Sequence, residues 1–342
     1  PHHPAPLHLI GALQDLSGFS LGEKLRAVRL GLSLARHRVP AHGDVDVARW
    51  LAERNQTAAL IHEIWEPLCL ATLNTPAAQA SAEVFLTVMH DAFLRSRDDS
   101  DLLLPRESLD AVLPEPAVDC IRAHGGALHL NTPAAALVLD GGRIAAVQTP
   151  RGTMAAAGFI LALPYAECRR LTAEHPPFRS LARRLGDLTS TGITTVYLRY
   201  EGAVTPEAPF LGIIDPPACW IFGVPGGGHR SVAAVLTGPN AHPDWDDTAC
   251  IRRVAAHVGR FYPQWSAVEG GVVVREPQAV FTSRVGVNAC RPANATPLPN
   301  CWIAGDYTAT GYPASLESAV ASGVAAARGL MEHLYRAPPP AR

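Results

Sequence analysis

The segment Cys301–Gly323 combines residue types that could bind a cofactor. An apolar stretch, Cys301–Ala304, predicts a buried strand that runs into Gly305 and Asp306. A glycine at that point would let the backbone approach a ligand closely, because it has no Cβ atom. The Asp306 carboxylate could accept a hydrogen bond from a ribose or ribityl hydroxyl. The spacing equally fits an ordinary connection between a strand and a helix.

A helix rich in small residues is predicted to follow, over residues 313–334. Its first backbone N–H groups have no acceptor within the helix, so they could hold a phosphate or the electron-rich edge of a ring. Ala319, Ser322 and Gly323 would let the helix pack tightly against a sheet or a flat cofactor. The candidate cofactor contacts at the start of this helix are Pro313, Ala314, Ser315 and Leu316.

The sequence supports neither a metal site nor a phosphate-binding loop. The stretch 223–228 has the glycine spacing of a phosphate loop, but His229 stands where that motif requires lysine, so we predict a turn. No HExxH motif occurs, and the 14 histidines are scattered. The seven cysteines include no CxxC pair, which argues against a structural zinc site and a disulfide framework. We therefore expect no metal site.

Composition and charge exclude several classes of protein. A length of 342 residues corresponds to one large domain or two ordinary ones. Hydrophobic residues make up 48% and charged residues 18%, which predicts a packed core rather than disorder. The net charge of -2 lacks the basic excess of a phosphate-backbone binder, so we expect no nucleic-acid partner. No apolar run approaches the ~18 residues that a membrane span needs.

Helices dominate the first third of the predicted fold. The first is expected to begin at a capping box formed by Ser20 and Glu23, and the third to end at Pro67. A fourth helix should begin with Thr75 as its N-cap. The first helix either packs its apolar stripe on the core or lies on a membrane surface. That stripe consists of Leu21, Leu25, Val28, Leu32 and Ala35.

Strands become frequent after about residue 105, which predicts a mixed α/β fold with parallel and antiparallel pairing. A helix over 108–124 precedes this region, and another covers about 246–262. The proline-rich tail over 337–342 is predicted to be disordered. The predicted strands cover 127–130, 135–140, 143–149, 158–164, 192–200, 210–215, 218–224, 231–237, 272–275 and 301–304.

The segment around Gly305 resembles the C-terminal flavin motif of the amine oxidase and phytoene desaturase superfamily. That motif reads approximately Ala-Gly-Asp, a short loop, Pro, and then Glu-x-Ala-x-x-Ser-Gly; here it corresponds to Ala304–Asp306, Pro313 and Glu317–Gly323. Further stretches resemble one narrower group, the hydroxysqualene dehydroxylases. They are Trp65–Pro76, Asp101–Pro105, Arg275–Ala279, Arg291–Pro292 and Thr296–Asn300.

The resemblance implies an FAD-dependent enzyme in which a partial Rossmann-like flavin domain is interleaved with a substrate domain. The substrate domain would comprise residues 1–104 and 171–275, and the flavin domain residues 105–170 and 276–336. A strand near 127–136 would pass close to the adenine side of FAD at Ala134.

The implied reaction is reductive removal of the hydroxyl group of hydroxysqualene, giving squalene for hopanoid synthesis. A proton must reach the leaving hydroxyl, and a reduced flavin supplies the hydride. Glu66 and Asp91 are the candidate acids, although each also fits a capping or salt-bridged carboxylate. A carotenoid desaturase that uses the flavin oxidatively is the alternative. An amine oxidase is less expected, since no aromatic pair that could flank an amine is evident.

One departure from the superfamily concerns the N-terminal GxGxxG segment, which holds the FAD pyrophosphate and is not found in this sequence. The chain is therefore expected to be a fragment that needs this missing FAD-binding segment, or an inactive remnant. An apolar isoprenoid substrate implies peripheral membrane association. We expect a cytoplasmic enzyme on the inner face of a bacterial membrane, with contact through residues 7–36.

Overall fold

The computed structural model describes residues 17–34, 43–224, 229–242 and 244–336. Helices and strands intermingle along these ranges, which confirms the mixed α/β class. None of the helices within them has the length and apolar character needed to cross a membrane. The helices are α1 Leu21–Leu34, α2 Val47–Ala52, α3 Ala58–Leu60, α4 Glu66–Leu73, α5 Ala82–Phe93, α6 Leu109–Val112, α7 Pro114–Ala123, α8 Tyr165–Thr172, α9 Arg179–Gly186, α10 Asp247–Phe261, α11 Val287–Cys290 and α12 Leu316–Arg336.

The strands form three sheets, all of them within the described ranges. Three neighbouring strands make one sheet in the order β1-β2-β3, and β10 pairs with β4 in another. The largest sheet has the order β6-β7-β8-β5-β9. The strands are β1 Ala136–Asp140, β2 Arg143–Thr149, β3 Gly152–Ala155, β4 Phe159–Ala162, β5 Ser190–Tyr200, β6 Phe210–Ile213, β7 Cys219–Gly223, β8 Ser231–Thr237, β9 Val268–Phe281 and β10 Cys301–Ala304.

The chain divides into two compact units, each built from two separate stretches of sequence. The first unit comprises residues 1–117 and 190–285, and the second comprises residues 118–189 and 286–342. The sequence predicts exchange points near residues 104, 170 and 275. The assignment of one unit to substrate binding and of the other to flavin binding stays a prediction.

The first unit is built around the five-stranded sheet, whose ladders are all antiparallel. The four strands predicted between residues 192 and 237 form as antiparallel neighbours. Strand β9 is far longer than the four residues predicted, because Val268–Phe281 pairs along almost the whole of β5. Alternate side chains of the sheet and the apolar stripe of α10 form one core. It includes Val196, Leu198, Ile221, Val232, Ala234, Leu236, Cys250, Val254 and Val258.

The opposite face of this sheet carries large apolar side chains that reach solvent. Tyr197 pairs with Val272 on one side and with Ala233 on the other, and Ala233 pairs in turn with Phe222. Directly paired residues share a face of the sheet. Val272 is 61% exposed and Tyr197 39% exposed. We call this surface the outer sheet face; its members are Tyr197, Phe210, Trp220, Phe222, Val272 and Val274.

Helix α1 begins as predicted but buries a different face. The Ser20 hydroxyl and backbone N–H both bond the Glu23 carboxylate, which confirms the capping box. The predicted stripe does not pack on the core, because Leu21, Leu25 and Leu32 are exposed. Glu23 accepts a hydrogen bond from the Thr57 hydroxyl at 3.0 Å, and this contact helps set the rotation of the helix. The buried residues of α1 are Ala27, Leu30 and Leu34.

Pro67 does not end the third predicted helix. A π-helical turn, Ile61–Trp65, follows α3 and leads directly into α4, where Pro67 occupies an early position. Proline normally clashes with the carbonyl four residues earlier and removes one hydrogen bond. A wider turn immediately before it relieves both effects, so the chain stays helical to Leu73.

The helix expected to have Thr75 as its N-cap starts six residues later than predicted. Thr75 is buried, and its hydroxyl bonds the Leu73 carbonyl and the Ser283 N–H, so it cannot cap a helix. Ser81 is the N-cap of α5, with its Oγ accepting from the Val84 N–H at 3.2 Å. The Thr75 hydroxyl is therefore engaged by a residue distant in sequence, and the helix is capped by Ser81 instead.

The second unit contains the three-stranded antiparallel sheet and the parallel pair. The strand predicted over 127–130 is wrong, since this stretch forms no ladder. Strand β3 was not predicted, and the single helix expected over 108–124 is two helices, α6 and α7, that meet at Pro114. A proline there cannot donate the hydrogen bond that would continue α6.

Candidate functional site

Strand β10 delivers Gly305 and Asp306 to the carboxyl end of a parallel pair. Cys301 pairs with Phe159 and Ala304 with Ala162, so the two strands run side by side for four residues. The two strands pair in parallel, and this sheet has only these two strands within the described residues. Ligands of α/β folds bind beyond the carboxyl ends of parallel strands, which is where this loop lies.

Helix α12 begins at Leu316 rather than near residue 313. Pro313, Ala314 and Ser315 precede it, and the Ser315 hydroxyl accepts a hydrogen bond from the Ser318 N–H at 3.2 Å. Leu316 is 63% exposed. The four predicted contacts thus form a turn and the first helical residue, and their role toward a cofactor stays a prediction.

Arg291 organises the loop after β10, and the sequence did not reveal this role. Its side chain is only 1% exposed. Its Nη2 donates to the Asp306 carbonyl oxygen at 3.0 Å and to the Thr310 hydroxyl at 2.8 Å. The Ser318 hydroxyl donates to the same carbonyl at 2.8 Å. The Arg291–Pro292 pair belonged to the resemblance, but nothing in its spacing indicated these partners.

Burial disfavours the charged forms of both Asp306 and Arg291. It raises the pKa of Asp306, while the Tyr307 N–H and the charge of Arg291 act in the opposite direction. Burial lowers the pKa of Arg291 to about 10, opposed by the charge of Asp306. Arg291 therefore stays charged at neutral pH. A partly buried carboxylate beside a fully buried guanidinium is an environment typical of functional sites.

The need for glycine at position 305 comes from Tyr307. A Cβ atom on Gly305 would overlap the Tyr307 ring. That ring is fully buried and contacts Tyr165 edge-on, at 6.3 Å between centroids. Packing within the chain thus explains the glycine, and its close approach to a ligand stays a prediction.

Ser322 is a polar junction on α12 rather than only a small packing residue. The Gly305 N–H donates to its hydroxyl at 3.0 Å, and Asn294 Nδ2 donates to it at 2.8 Å. Thr308 Oγ1 lies 2.8 Å from the same hydroxyl. Since Ser322 and Thr308 are both fully buried, this junction fixes the start of the loop.

The loop fits the hydroxyl-bearing part of a flavin better than its phosphates. Asp306 is half-buried, and its carbonyl oxygen is already engaged by Arg291 and Ser318, so the carboxylate is the group left to meet a ligand. Glu317 adds a negative charge in the first turn of α12, which disfavours a phosphate there. A ribityl or ribose hydroxyl is the matching donor.

Ala134 lies in the same unit but not in a strand. It is half-buried and comes two residues before β1, where the Ala135 N–H donates to the Gln148 carbonyl at 2.8 Å. The strand predicted around it does not form. Its contact with the adenine side of FAD stays a prediction.

The two candidate acids lie in the first unit and have different surroundings. Glu66 Oε2 accepts a hydrogen bond from the Ala77 N–H at 2.9 Å. Asp91 lies 2.9 Å from His90 Nδ1 and 3.9 Å from Arg95. Both carboxylates therefore have structural partners, and Glu66 also lines a cavity.

That cavity has a volume of about 650 Å³ and lies within the first unit. Trp220, which belongs to the outer sheet face, is one of its lining residues. Most of the lining is apolar, and its few polar groups include His62 and Glu66. The apolar lining includes Ala58, Ile61, Pro67, Leu70, Ile213, Ile214 and Pro239. Among the described residues, no three His, Cys, Asp or Glu side chains form a cluster that could hold a metal ion.

Comparison with known proteins gives the class that this fold and loop define. The chain belongs to the flavin containing amine oxidoreductase family, whose model matches residues 2–331. It is therefore related to oxidoreductases that use a flavin cofactor.

Individual relatives are distant. The chain is 29% identical to hydroxysqualene dehydroxylase of Rhodopseudomonas palustris over 287 residues, covering 80% of this chain and 63% of the relative. It is 24% identical to 15-cis-phytoene desaturase of Synechococcus elongatus, covering 97% and 75%. The chain spans about three fifths of the length of the first of these curated relatives and of a second hydroxysqualene dehydroxylase, from Sinorhizobium fredii.

Solved structures show the same fold. Cyclohexylamine oxidase from Brevibacterium oxydans superposes with a TM-score of 0.61 at 15% identity, covering 94% of this chain and 77% of that one. A redesigned putrescine oxidase superposes with a TM-score of 0.64 at 13% identity, covering 94% and 78%.

Proposed function

We propose that this protein is an FAD-dependent oxidoreductase that acts on a long apolar isoprenoid, and that it removes the hydroxyl group of hydroxysqualene reductively. The observation that carries the proposal is the apolar cavity next to Glu66, which shares Trp220 with the outer sheet face. Most of this lining is apolar, which suits a hydrocarbon better than an amine.

The cavity and the outer sheet face together could bind a substrate that is too long for either of them alone. The cavity volume of about 650 Å³ lies in the usual range of small-molecule sites. A cavity of this size would enclose part of a long hydrocarbon chain. The exposed side chains of Tyr197, Phe222 and Val272 give the remainder an apolar surface to lie on. Such exposed apolar patches commonly mark binding sites.

Glu66 is the proposed proton donor to the leaving hydroxyl. Its Oε2 is held by the Ala77 N–H, which orients the carboxyl group and leaves Oε1 to carry the proton. The apolar lining excludes water, which would otherwise capture the allylic cation formed on loss of the hydroxyl. When bound in its two-electron reduced form, the flavin would supply the hydride that completes the reduction and would itself be oxidised. Asp306 contributes by holding a ribityl hydroxyl.

A carotenoid-type desaturase is the second candidate. The observation that favours it is the similarity to 15-cis-phytoene desaturase, which covers 97% of this chain. Desaturation abstracts hydrogen from the substrate and has no leaving hydroxyl to protonate, so it would not need Glu66 as an acid.

Product analysis with Glu66→Gln separates the two reactions. The flavin-loaded protein is incubated with reduced flavin and hydroxysqualene, and separately with oxidised flavin and phytoene, and the lipid products are identified. We expect squalene from the first mixture, and at least a hundredfold loss of rate in Glu66→Gln. Glu63→Gln is the matched control, because Glu63 is an exposed neighbour outside the cavity lining. Desaturated product alone, unchanged in Glu66→Gln, would replace this proposal with the second candidate.

Peripheral membrane association is proposed through α1. Leu21 is 74% exposed, Leu25 51% and Leu32 39%, and Arg26 and Arg29 lie beside them. Exposed leucines flanked by arginines suit the interface of an anionic membrane. Of the region predicted for this contact, residues 7–16 and 35–36 lie outside the described residues.

A further inference from the structure

A second cavity of about 460 Å³ opens on the first unit, away from the residues that line the cavity next to Glu66 apart from their common Pro216. One face of α10 forms its floor: Arg253, Ala256, His257 and Arg260 follow the spacing of a single helical stripe. The loops around Pro216 and Trp245 complete the lining.

The charges that line this cavity are predominantly positive. Arg253 and Arg260 both face it, and the carboxylate nearest to Arg260 is Asp215, at 3.9 Å. The Asp215 side chain is 64% exposed, so solvent weakens this ion pair. The Arg253 guanidinium lies over an aromatic ring, that of Trp245.

Both guanidinium groups are held in place before any ligand arrives. Arg253 lies over the Trp245 ring at 4.7 Å, and that ring stacks on His242 at 3.9 Å with the planes 1° apart. Arg260 Nη2 lies 2.6 Å from His257 Nδ1, which accepts its hydrogen bond. An arginine that spends one N–H on an anchor still presents others in a rigid fork.

His257 supports this arrangement as a neutral ring. It is buried at 4% exposure. Desolvation lowers its pKa, with a further lowering by Arg260 and an opposing effect of Asp215. A neutral ring with its proton on Nε2 leaves Nδ1 free to accept from Arg260, so burial of His257 and orientation of Arg260 depend on each other.

We propose that this cavity binds a phosphate-type oxyanion between Arg253 and Arg260. Two forked donors that approach from one helix match an oxyanion with several acceptor oxygens, because each guanidinium can engage a different pair of oxygens. The group could be a free phosphate or pyrophosphate, or the phosphate of an anionic lipid headgroup.

Calorimetric titration of the whole chain with phosphate and with pyrophosphate tests binding in solution, and flotation with phosphatidylglycerol or phosphatidylcholine vesicles tests the lipid source. Saturable binding that is weakened about tenfold or more by Arg253→Gln and by Arg260→Gln is expected in at least one arm. Arg253→Lys should retain part of it, since charge remains but the fork is lost.

Arg252→Gln is the matched control, because Arg252 is the exposed neighbour on α10 outside the cavity. Dependence of the soluble anions on the two arginines assigns a free ligand, and dependence of phosphatidylglycerol binding alone assigns a headgroup. No saturable binding in any arm, or equal weakening by Arg252→Gln, overturns the proposal. None of these measurements needs the enzyme to turn over, so the result is independent of the proposed reaction.

Discussion

Arg291 is the residue on which the loop after β10 depends most. Arg291→Ala should lower the free energy of unfolding by about 1–3 kcal/mol for each group left without its donor, because the Asp306 carbonyl and the Thr310 hydroxyl both lose a hydrogen bond. Urea unfolding followed by circular dichroism measures this change. Arg328→Ala, at an exposed position of α12, should stay within about 0.5 kcal/mol of the unsubstituted protein. Equal effects of the two substitutions would contradict the role of Arg291.

Asp306 should make stability depend on pH. A carboxyl group whose pKa is raised in the folded state contributes stability that is present below its unfolded pKa and lost as pH rises through the folded value. Asp306→Asn cannot ionise, so its stability relative to the unsubstituted protein should be greater at neutral pH than near pH ~4. Unfolding curves at both pH values measure the difference. Asp119→Asn, whose parent side chain is 79% exposed, should show no such trend.

Asp306 is also expected to bind the cofactor. In the flavin-loaded protein, Asp306→Ala should weaken FAD binding by roughly ten- to a hundredfold, because a charge-assisted hydrogen bond of ~1.5–3 kcal/mol is lost. Asp306→Asn should be milder, since its carbonyl still accepts. Fluorescence titration of FAD gives the affinities, and equal affinity in Asp306→Ala would remove this residue from the site.

Single residues were predictable where neighbours in sequence carry the signal. Gly305 and Asp306 stood out because a strand, a glycine and a carboxylate occur in succession. Arg291 did not, because its partners lie 15 and 19 residues away and no local pattern records them. The reason for Gly305 was also hidden, since only the folded chain shows the Tyr307 ring against it.

At the scale of elements, one buried amide joins strands of the second unit. Asn300 is 2% exposed; its Nδ2 donates to the Ile144 carbonyl at 2.8 Å and its Oδ1 accepts from the Ile144 N–H at 3.1 Å. Its backbone carbonyl accepts from the Phe159 N–H at 2.8 Å. Asn300, which directly precedes β10, thus bonds β2 through its side chain and β4 through its backbone.

Asn300→Ala should leave the backbone N–H and carbonyl of Ile144 buried without this hydrogen-bond partner. The free energy of unfolding should fall by about 1–3 kcal/mol for each group. Asn300→Asp should be intermediate, because a carboxylate still accepts from the N–H but cannot donate to the carbonyl. Thermal and urea unfolding provide the measurement. Gln148→Ala removes an exposed side-chain amide from β2, the strand of Ile144, and should leave the free energy of unfolding nearly unchanged. A similar loss of stability in Gln148→Ala would show that the effect is not specific to Asn300.

Most strands and helices followed from hydrophobic periodicity, and the errors have identifiable causes. Strands β2 and β8 have the predicted bounds because alternation and turn residues agree. The start of α5 was missed because Thr75 bonds residues distant in sequence, and Pro67 was misjudged because a π-turn absorbs it. The sequence did not decide which face of α1 is buried, because leucines occur on both of its sides.

For the whole molecule, the exposed leucines of α1 predict binding to anionic vesicles. Leu21→Ser combined with Leu25→Ser should weaken vesicle binding at least tenfold, because each inserted leucine side chain contributes about 1.5–3 kcal/mol. Cosedimentation with phosphatidylglycerol vesicles gives the bound fraction. Leu109→Ser alters another exposed leucine, at 61% exposure, and should leave binding unchanged. Equal loss in this control would place the contact elsewhere.

The class of fold was predictable from the order of elements and the family from motifs spread along the chain. The bounds of the two units and the cavity next to Glu66 were not, because both arise from contacts between stretches more than a hundred residues apart. Periodicity reports which face of an element is apolar, but not what will cover it.

Strand β9 closes one side of the five-stranded sheet, and within the described ranges no further strand pairs with its outer edge. A long edge with exposed Val272 and Val274 could recruit the same strand of a second copy and start aggregation. The C-terminal half is protected, because Pro277 offers no N–H and Glu276 adds an exposed charge. Self-association on storage should therefore begin at the Gly270–Val274 half of the edge, and a lysine in place of Val272 should delay it.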